Sequence, residues 1–174
     1  MKRRPALSLN ITPVQQQPQF VDMASRGICF VHGSNSHSFA GLVRFRALLS
    51  MEEIDGTPWF HAHGLHSGER GYTRRYLYCG QPVSQGVSLN HVQNFGESLH
   101  YAKFGCEFGA YPVLFGLGSE VCTHERFLDH PVSCRGINID HVRAIYVPAG
   151  KVAEAKLELN TVPRLSGLVR PLLN

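Results

Sequence analysis

The chain has 174 residues, with 17 Lys and Arg against 13 Asp and Glu, for a formal net charge of +4 with histidine neutral. That length buries the core of one domain with at most a small appendage, and 43% apolar against 17% charged residues excludes a disordered polyelectrolyte. No apolar run reaches the roughly 18 residues that span a bilayer. The basic residues are scattered, so no membrane attachment and no nucleic-acid partner are expected.

Residues 1–24 open Met1-Lys2-Arg3-Arg4 and run on through Gln15-Gln16-Gln17. They lack the continuous apolar stretch of a secretory signal and read as a flexible polar leader before a single domain over 25–174. Ile28-Cys29-Phe30-Val31 is a run of strand formers ending at His32-Gly33-Ser34. Asn35 or Ser36 is placed to cap a helix over about 37–49, carrying Phe39, Leu42, Val43 and Ala47 at helical spacing. The stretch 55–78, rich in Gly, His, Arg and aromatics without a clear period, reads as a long surface loop.

Gly86-Val87-Ser88-Leu89 is a short predicted strand, and Phe95, Leu99 and Ala102 mark a second helix carrying Tyr101. Tyr111 to Leu117 is a buried strand with Pro112 near its start, where a missing donor is tolerated. Phe127–Cys134 and Val142–Val147 complete the strands, and the apolar end, Leu165 to Leu173, is either a docking helix or a strand edge. Short strands with two clear helices predict an α+β fold on a largely antiparallel sheet.

The five cysteines, Cys29, Cys79, Cys106, Cys122 and Cys134, are odd in number, widely spaced and free of CxxC pairs. Reduced thiols in a cytosolic setting are expected, with Cys29 and Cys134 as packed thiols. The ten histidines invite a metal reading, above all His61-x-His63-x-x-His66. No cysteine or carboxylate falls beside that cluster to complete a ligand set, so solvated loop histidines, and no metal, are expected.

The stronger constellation is distributed: His32-Gly33-Ser34 at a strand end, Ser88 in the next short strand, Tyr101 on the following helix, and Glu125 before the last strands. Taken singly, His32 most simply satisfies a backbone group, Tyr101 packs in a core and Glu125 faces solvent. Their joint order changes that balance. The run His-Gly-Ser-Asn-Ser-His-Ser-Phe-Ala-Gly-Leu over 32–42 resembles the first motif of the ADP-ribosyltransferase fold, in the branch of diphtheria toxin and the poly(ADP-ribose) polymerases. Gly-Val-Ser-Leu followed by Tyr101 resembles the second, and Glu125-Arg-Phe-Leu with Ile145-Tyr-Val-Pro the third; the likeness covers about 28–150.

This resemblance implies split antiparallel sheets with short flanking helices and NAD as co-substrate. Its catalytic residues are Glu125, His32 and Tyr101, with NAD held by His32, Gly33, Ser34, Ser88 and Tyr101. Cleavage of the nicotinamide–ribose bond develops oxocarbenium character, which a carboxylate such as Glu125 stabilises. Tyr101 offers an aromatic face to nicotinamide, Gly33 allows close backbone approach, and a His32 ring nitrogen meets a ribose hydroxyl. Ser88 stands where this branch usually has tyrosine, and the Glu-x-Glu of the arginine-type branch is absent. Transfer of a single ADP-ribose to a protein is therefore expected rather than polymer synthesis. Glu120 is the alternative third-motif residue.

The implied protein is a monomeric toxin-like enzyme, a secreted bacterial effector acting in the host cytoplasm with the leader as export signal; an ordinary frayed terminus fits the same leader, and the protein is then cytoplasmic. A host protein is the implied acceptor, ubiquitin being one that enzymes of this kind modify. Loop 55–78, with Trp59, Phe60, Tyr72, Arg74, Arg75 and Tyr76, is the candidate acceptor-recognition element. An RNA 2′-phosphotransferase-like enzyme and an inactive NAD- or protein-binding module of the same fold are the competing readings.

Overall fold

The computed structural model describes residues 13–64, 77–78, 81–82, 86–104, 106, 109–123 and 131–173. Its centre is a five-stranded sheet of order β5-β1-β6-β8-β9, with β1 Phe30–Asn35, β5 Asn90–His91, β6 Pro112–Leu117, β8 Val142–Val147 and β9 Val169–Pro171. β1 pairs antiparallel with both β5 and β6, and β6 antiparallel with β8. β9 runs parallel to β8. A parallel return needs a crossover, here α6 Val152–Glu158 and α7 Pro163–Leu168. The apolar C-terminal stretch is thus both a helix and a strand edge. Two small antiparallel pairs stand apart, β2 Ala47–Leu48 with β7 Ile137–Asn138, and β3 Leu77–Tyr78 with β4 Gln81–Pro82.

Both faces of the sheet are covered, so β6 is a continuous apolar run and β8 is one from Ala144 to Val147, after the exposed Arg143. On one face Val31, Leu114, Ala144 and Tyr146 pack against Met23 of α1 Pro18–Ser25 and against Phe95 and Ala102 of α5 Phe95–Phe104. On the other, Val113, Phe115, Leu117, Ile145 and Val147 meet Phe39 and Leu42 of α2 Ser38–Phe45, with Ala155 and Leu165 of the crossover. Each fully buried Val, Leu, Ile, Phe or Met among them contributes about 1.5–3 kcal/mol. Mixed α/β structure around this sheet agrees with the α+β expectation at that coarse level.

Several local expectations are corrected. Residues 18–24, read as leader, begin α1, with Pro18 in the first helical turn, where proline's missing donor is harmless. Met23 is fully buried, and the buried Gln19 accepts the Leu173 N–H through Oε1 at 2.8 Å. α2 is shorter than predicted, ending at Arg46 in the left-handed region (φ 57°) before β2 begins. The first part of the predicted 55–78 loop contains α4 Pro58–Ala62, preceded by α3 Met51–Asp55, which a Ser50–Glu53 capping box starts. Phe60 is buried, Phe45 stacks on it, and Trp59 meets both rings edge-on. Tyr72, Arg74, Arg75 and Tyr76 lie outside the described residues. Among the described residues no helix is long and apolar enough to cross a membrane.

α1 is fastened to the sheet by a polar contact. The Tyr146 hydroxyl donates to Asp22 Oδ2 at 2.7 Å, and Arg26 donates to both Asp22 oxygens at 2.9 and 3.0 Å. The Arg26 hydrogen bond holds the Asp22 carboxyl below its ordinary value against a desolvation that opposes it. A carboxyl whose folded value is depressed stabilises the fold above its unfolded value, near 3.9, and loses that contribution as pH falls through the folded value. Asp22→Ala strands the buried Tyr146 hydroxyl and is expected to cost about 1–3 kcal/mol. In denaturant titrations the variant should also lose part of the wild-type decline in stability below pH 4; an unchanged acid profile would show that Asp22 contributes nothing to it.

Candidate functional site

The segment 86–91 belongs to two pairings. Asn90 and His91 pair with Val31 and Phe30 on the edge of β1. One residue earlier the chain has turned to another partner: Leu89 N–H donates to Pro131 O at 2.8 Å, Ser88 bridges Val132, and Ser133 N–H donates to Val87 O at 3.0 Å. The two pairings diverge just beyond Val31, and the sheet forks there.

Among the described residues, none pairs with the stretch of the β1 edge beyond the fork. Ser36 N–H donates to Tyr111 O, which sets the ladder's parity: His32 and Ser34 turn their backbone groups to β6, and Val31 and Gly33 turn theirs to the opposite edge. β5 covers that edge only at Phe30 and Val31. The Gly33 N–H and C=O therefore face the fork, past the end of β5. Glycine is required at this point for a separate reason. A Cβ on Gly33 would lie 2.0 Å from the Ser98 carbonyl oxygen of α5, which crosses directly beneath.

His32 spans the fork. Its Nδ1 lies 2.8 Å from the Ser88 carbonyl; a carbonyl only accepts, so Nδ1 carries the proton and Nε2 of the neutral ring is an acceptor. The half-buried ring stacks on Phe115, its partner across the ladder. Burial pushes the imidazole below its ordinary value, and the bond to Ser88 opposes that shift. Between the lowered folded value and the unfolded value near 6.5, the unfolded chain binds a proton that the folded one refuses, so stability falls as pH drops through this window. His32→Gln should flatten the decline below pH 6.5 in pH-resolved denaturation, and an unchanged slope would contradict the lowered value.

A buried relay supports the fork. Asn90 Nδ2 donates to Ser98 Oγ at 2.8 Å, and Ser98 Oγ donates to Val31 O at 3.2 Å, tying β5 and α5 to β1 one residue before His32. Gly86 packs against the other side, since a Cβ there would lie 2.0 Å from Ser133 O. Asn90 carries no sign of this in the sequence, and Ser98 enters there only as the first residue of the 98–102 run that carries Tyr101. The available signal was Ser98 three residues after Phe95 on the apolar face of α5, where a buried hydroxyl needs a partner.

The sequence-predicted residues distribute unevenly. His32, Gly33 and Ser88 meet at the fork, with Ser34 next along β1 opposite Val113. Ser88 contributes through its carbonyl, and its side chain is exposed. Tyr101 lies one turn beyond Ser98 on α5 with 63% of its surface exposed; it makes an edge contact with His100 rather than covering His32. Glu125 lies outside the described residues; the described Thr123 before it bridges Ser133, next to the Ser88–Val132 bridge. Glu120 is placed differently. It follows β6 past Leu117, which pairs with Phe30 at the far end of β1 from Gly33. Its own backbone N–H and the Arg143 guanidinium hold its carboxyl below the usual range, and His141 Nδ1 is 3.6 Å away. Glu120 is committed to that ion pair.

The histidine cluster shows no ligand arrangement. His61 Nε2 bonds the Asp55 carbonyl at 2.7 Å and His63 Nδ1 the Trp59 carbonyl at 2.8 Å, both in or beside α4 rather than in an open loop. His66 lies outside the described residues, and among those described no group of three or more metal-ligating side chains converges. Comparison of the chain with protein-family models, with curated proteins and with solved structures finds no match.

Proposed function

We propose that the chain is an NAD-dependent mono-ADP-ribosyltransferase that modifies a protein, with the fork at Gly33 as its nicotinamide site. The observation that carries this reading is the Gly33 edge, which no described residue pairs, beside a sheet-spanning His32. A primary amide needs one donor and one acceptor held side by side. A single extended residue whose N–H and C=O both face outward supplies that pair.

The roles follow from the local chemistry. Gly33 binds the carboxamide of nicotinamide through its backbone. His32, held by Ser88 with Nδ1 protonated, offers Nε2 as acceptor to a ribose hydroxyl. The exposed Tyr101 face is available to stack on the nicotinamide ring. Glu125 is the carboxylate that stabilises positive charge on the ribose as the bond to nicotinamide breaks and that orients the acceptor nucleophile. Nicotinamide leaves with the bonding electron pair, and the acceptor's proton is released as its heteroatom bonds to the ribose carbon. The commitment of Glu120 to Arg143 favours Glu125 over its neighbour for this role.

The test combines calorimetric titration of NAD with label transfer from NAD onto a broad panel of protein acceptors. Binding together with transfer is the expected result. Binding without transfer identifies an inactive NAD-binding module, and transfer of a 2′-phosphate from RNA to NAD identifies the phosphotransferase reading. Absence of NAD binding overturns both enzyme readings and leaves the inactive protein-binding module.

A further inference from the structure

Away from the Gly33 edge of β1, the described residues include a close pair of nucleophilic side chains. Cys122 and Cys134, both exposed, have their Sγ atoms 2.7 Å apart. Thr123 bridges Ser133 antiparallel, which places Cys122 directly opposite Cys134, and the Cys134 N–H donates to the Cys122 carbonyl at 3.0 Å. Backbone pairing alone therefore brings the two side chains together. The Cys134 segment is held from its other side as well. Ser133 exchanges bonds with Val87, giving its N–H to the Val87 carbonyl and accepting the Val87 N–H on Oγ at 2.8 Å. The exposure of Cys134 corrects its expected place as a packed thiol; Cys29 is partly buried.

We propose that Cys122 and Cys134 form a redox-active dithiol, which low-molecular-weight disulfides oxidise to an intramolecular disulfide. One thiol gives its proton to solvent, and its sulfur attacks the external disulfide, forming a mixed disulfide and expelling one thiolate. The second sulfur, deprotonated in turn, attacks the protein sulfur of that mixed disulfide and expels the other thiolate. The two cysteines lose two electrons and two protons in total, and the external disulfide is reduced to two thiols. The final step only contracts the sulfurs to a bond length of about 2.05 Å, with the backbone already in register. The hydrogen bond that its thiol gives the Cys122 sulfur holds Cys134 above its ordinary value, which suits Cys134 to be the resolving sulfur. The other described thiols have no such partner at hand: Cys106 donates to the Ala102 carbonyl at 3.1 Å and Cys29 bonds the Gly27 carbonyl at 3.9 Å.

The proposal stands apart from the NAD reading and is tested without any activity assay. The full chain is equilibrated in glutathione buffers of rising oxidised fraction, its free thiols are alkylated, and its peptides are analysed by mass spectrometry. The expected product is a Cys122–Cys134 cross-link that appears while Cys29 and Cys106 are still alkylated, and that a reductant reverses. Cys134→Ser should instead leave a stable glutathione adduct on Cys122, and the reduced wild type should bind phenylarsine oxide while either single variant does not. Separate glutathione adducts on both wild-type cysteines, pairing of either with another cysteine, or alkylation of both throughout overturns the proposal.

Discussion

Gly33→Ala is expected to destabilise the protein by about 3 kcal/mol or more, the upper end of the range for overpacking a close-packed interior. The added carbon would lie 2.0 Å from the Ser98 carbonyl oxygen and 2.8 Å from its carbon. Both are backbone atoms, so no rotamer change relieves the clash, and α5 has to move away from β1. That movement also breaks the Ser98–Val31 bond and disturbs Asn90, loosening the edge that frames the fork. Gly96→Ala is the control on the same helix. A Cβ there meets nothing within 4 Å, and replacing a helical glycine by alanine should raise stability by about 0.5–1 kcal/mol. Denaturant midpoints of the two variants should move in opposite directions; a neutral Gly33→Ala would contradict the close approach of α5.

His32→Ala is expected to reduce ADP-ribose transfer by about 100-fold or more, the usual effect of removing an aligned polar group from a reacting centre. The ring is fixed by the Ser88 carbonyl on one side and the Phe115 face on the other, so its orientation needs no ordering when substrate arrives. Denaturation of the same variant separates a positioning defect from unfolding: transfer should fall far more than folded population. An equal fall in both would reduce His32 to a structural tie between β1 and Ser88.

How much of this could be read from the sequence depends on where the determining contacts lie. β6 and β8 were legible because burial on both faces makes Tyr111–Leu117 and Ala144–Val147 continuous apolar runs. α5 was legible because Phe95, Leu99 and Ala102 recur at helical spacing. His32, Gly33 and Ser34 were found as a motif, but the reason they matter was not visible. The fork arises because Ser88 pairs with Val132 while Asn90 pairs with Val31, and neither pairing leaves a local signature. The predicted strand 86–89 was offset from β5 for the same reason, its residues being divided between two partners. α1 was hidden by its polar composition: Gln19 reads as leader, although its side chain is buried against the C-terminal backbone. The proximity of Cys122 and Cys134 is likewise a matter of cross-strand register, invisible in their spacing.

Glu125 holds the chemical centre of the proposed reaction, and the flanking Thr123–Ser133 and Ser88–Val132 bridges connect its segment to the carbonyl that holds His32. The most direct measurement is nicotinamide release from NAD, with parallel mass analysis of an acceptor protein, for wild type and Glu125→Ala. The wild type should release nicotinamide and add ADP-ribose to the acceptor in equal amounts, and Glu125→Ala should do neither while remaining folded. Equal transfer by both proteins, or intact NAD with the wild type across a broad acceptor panel, would contradict the account.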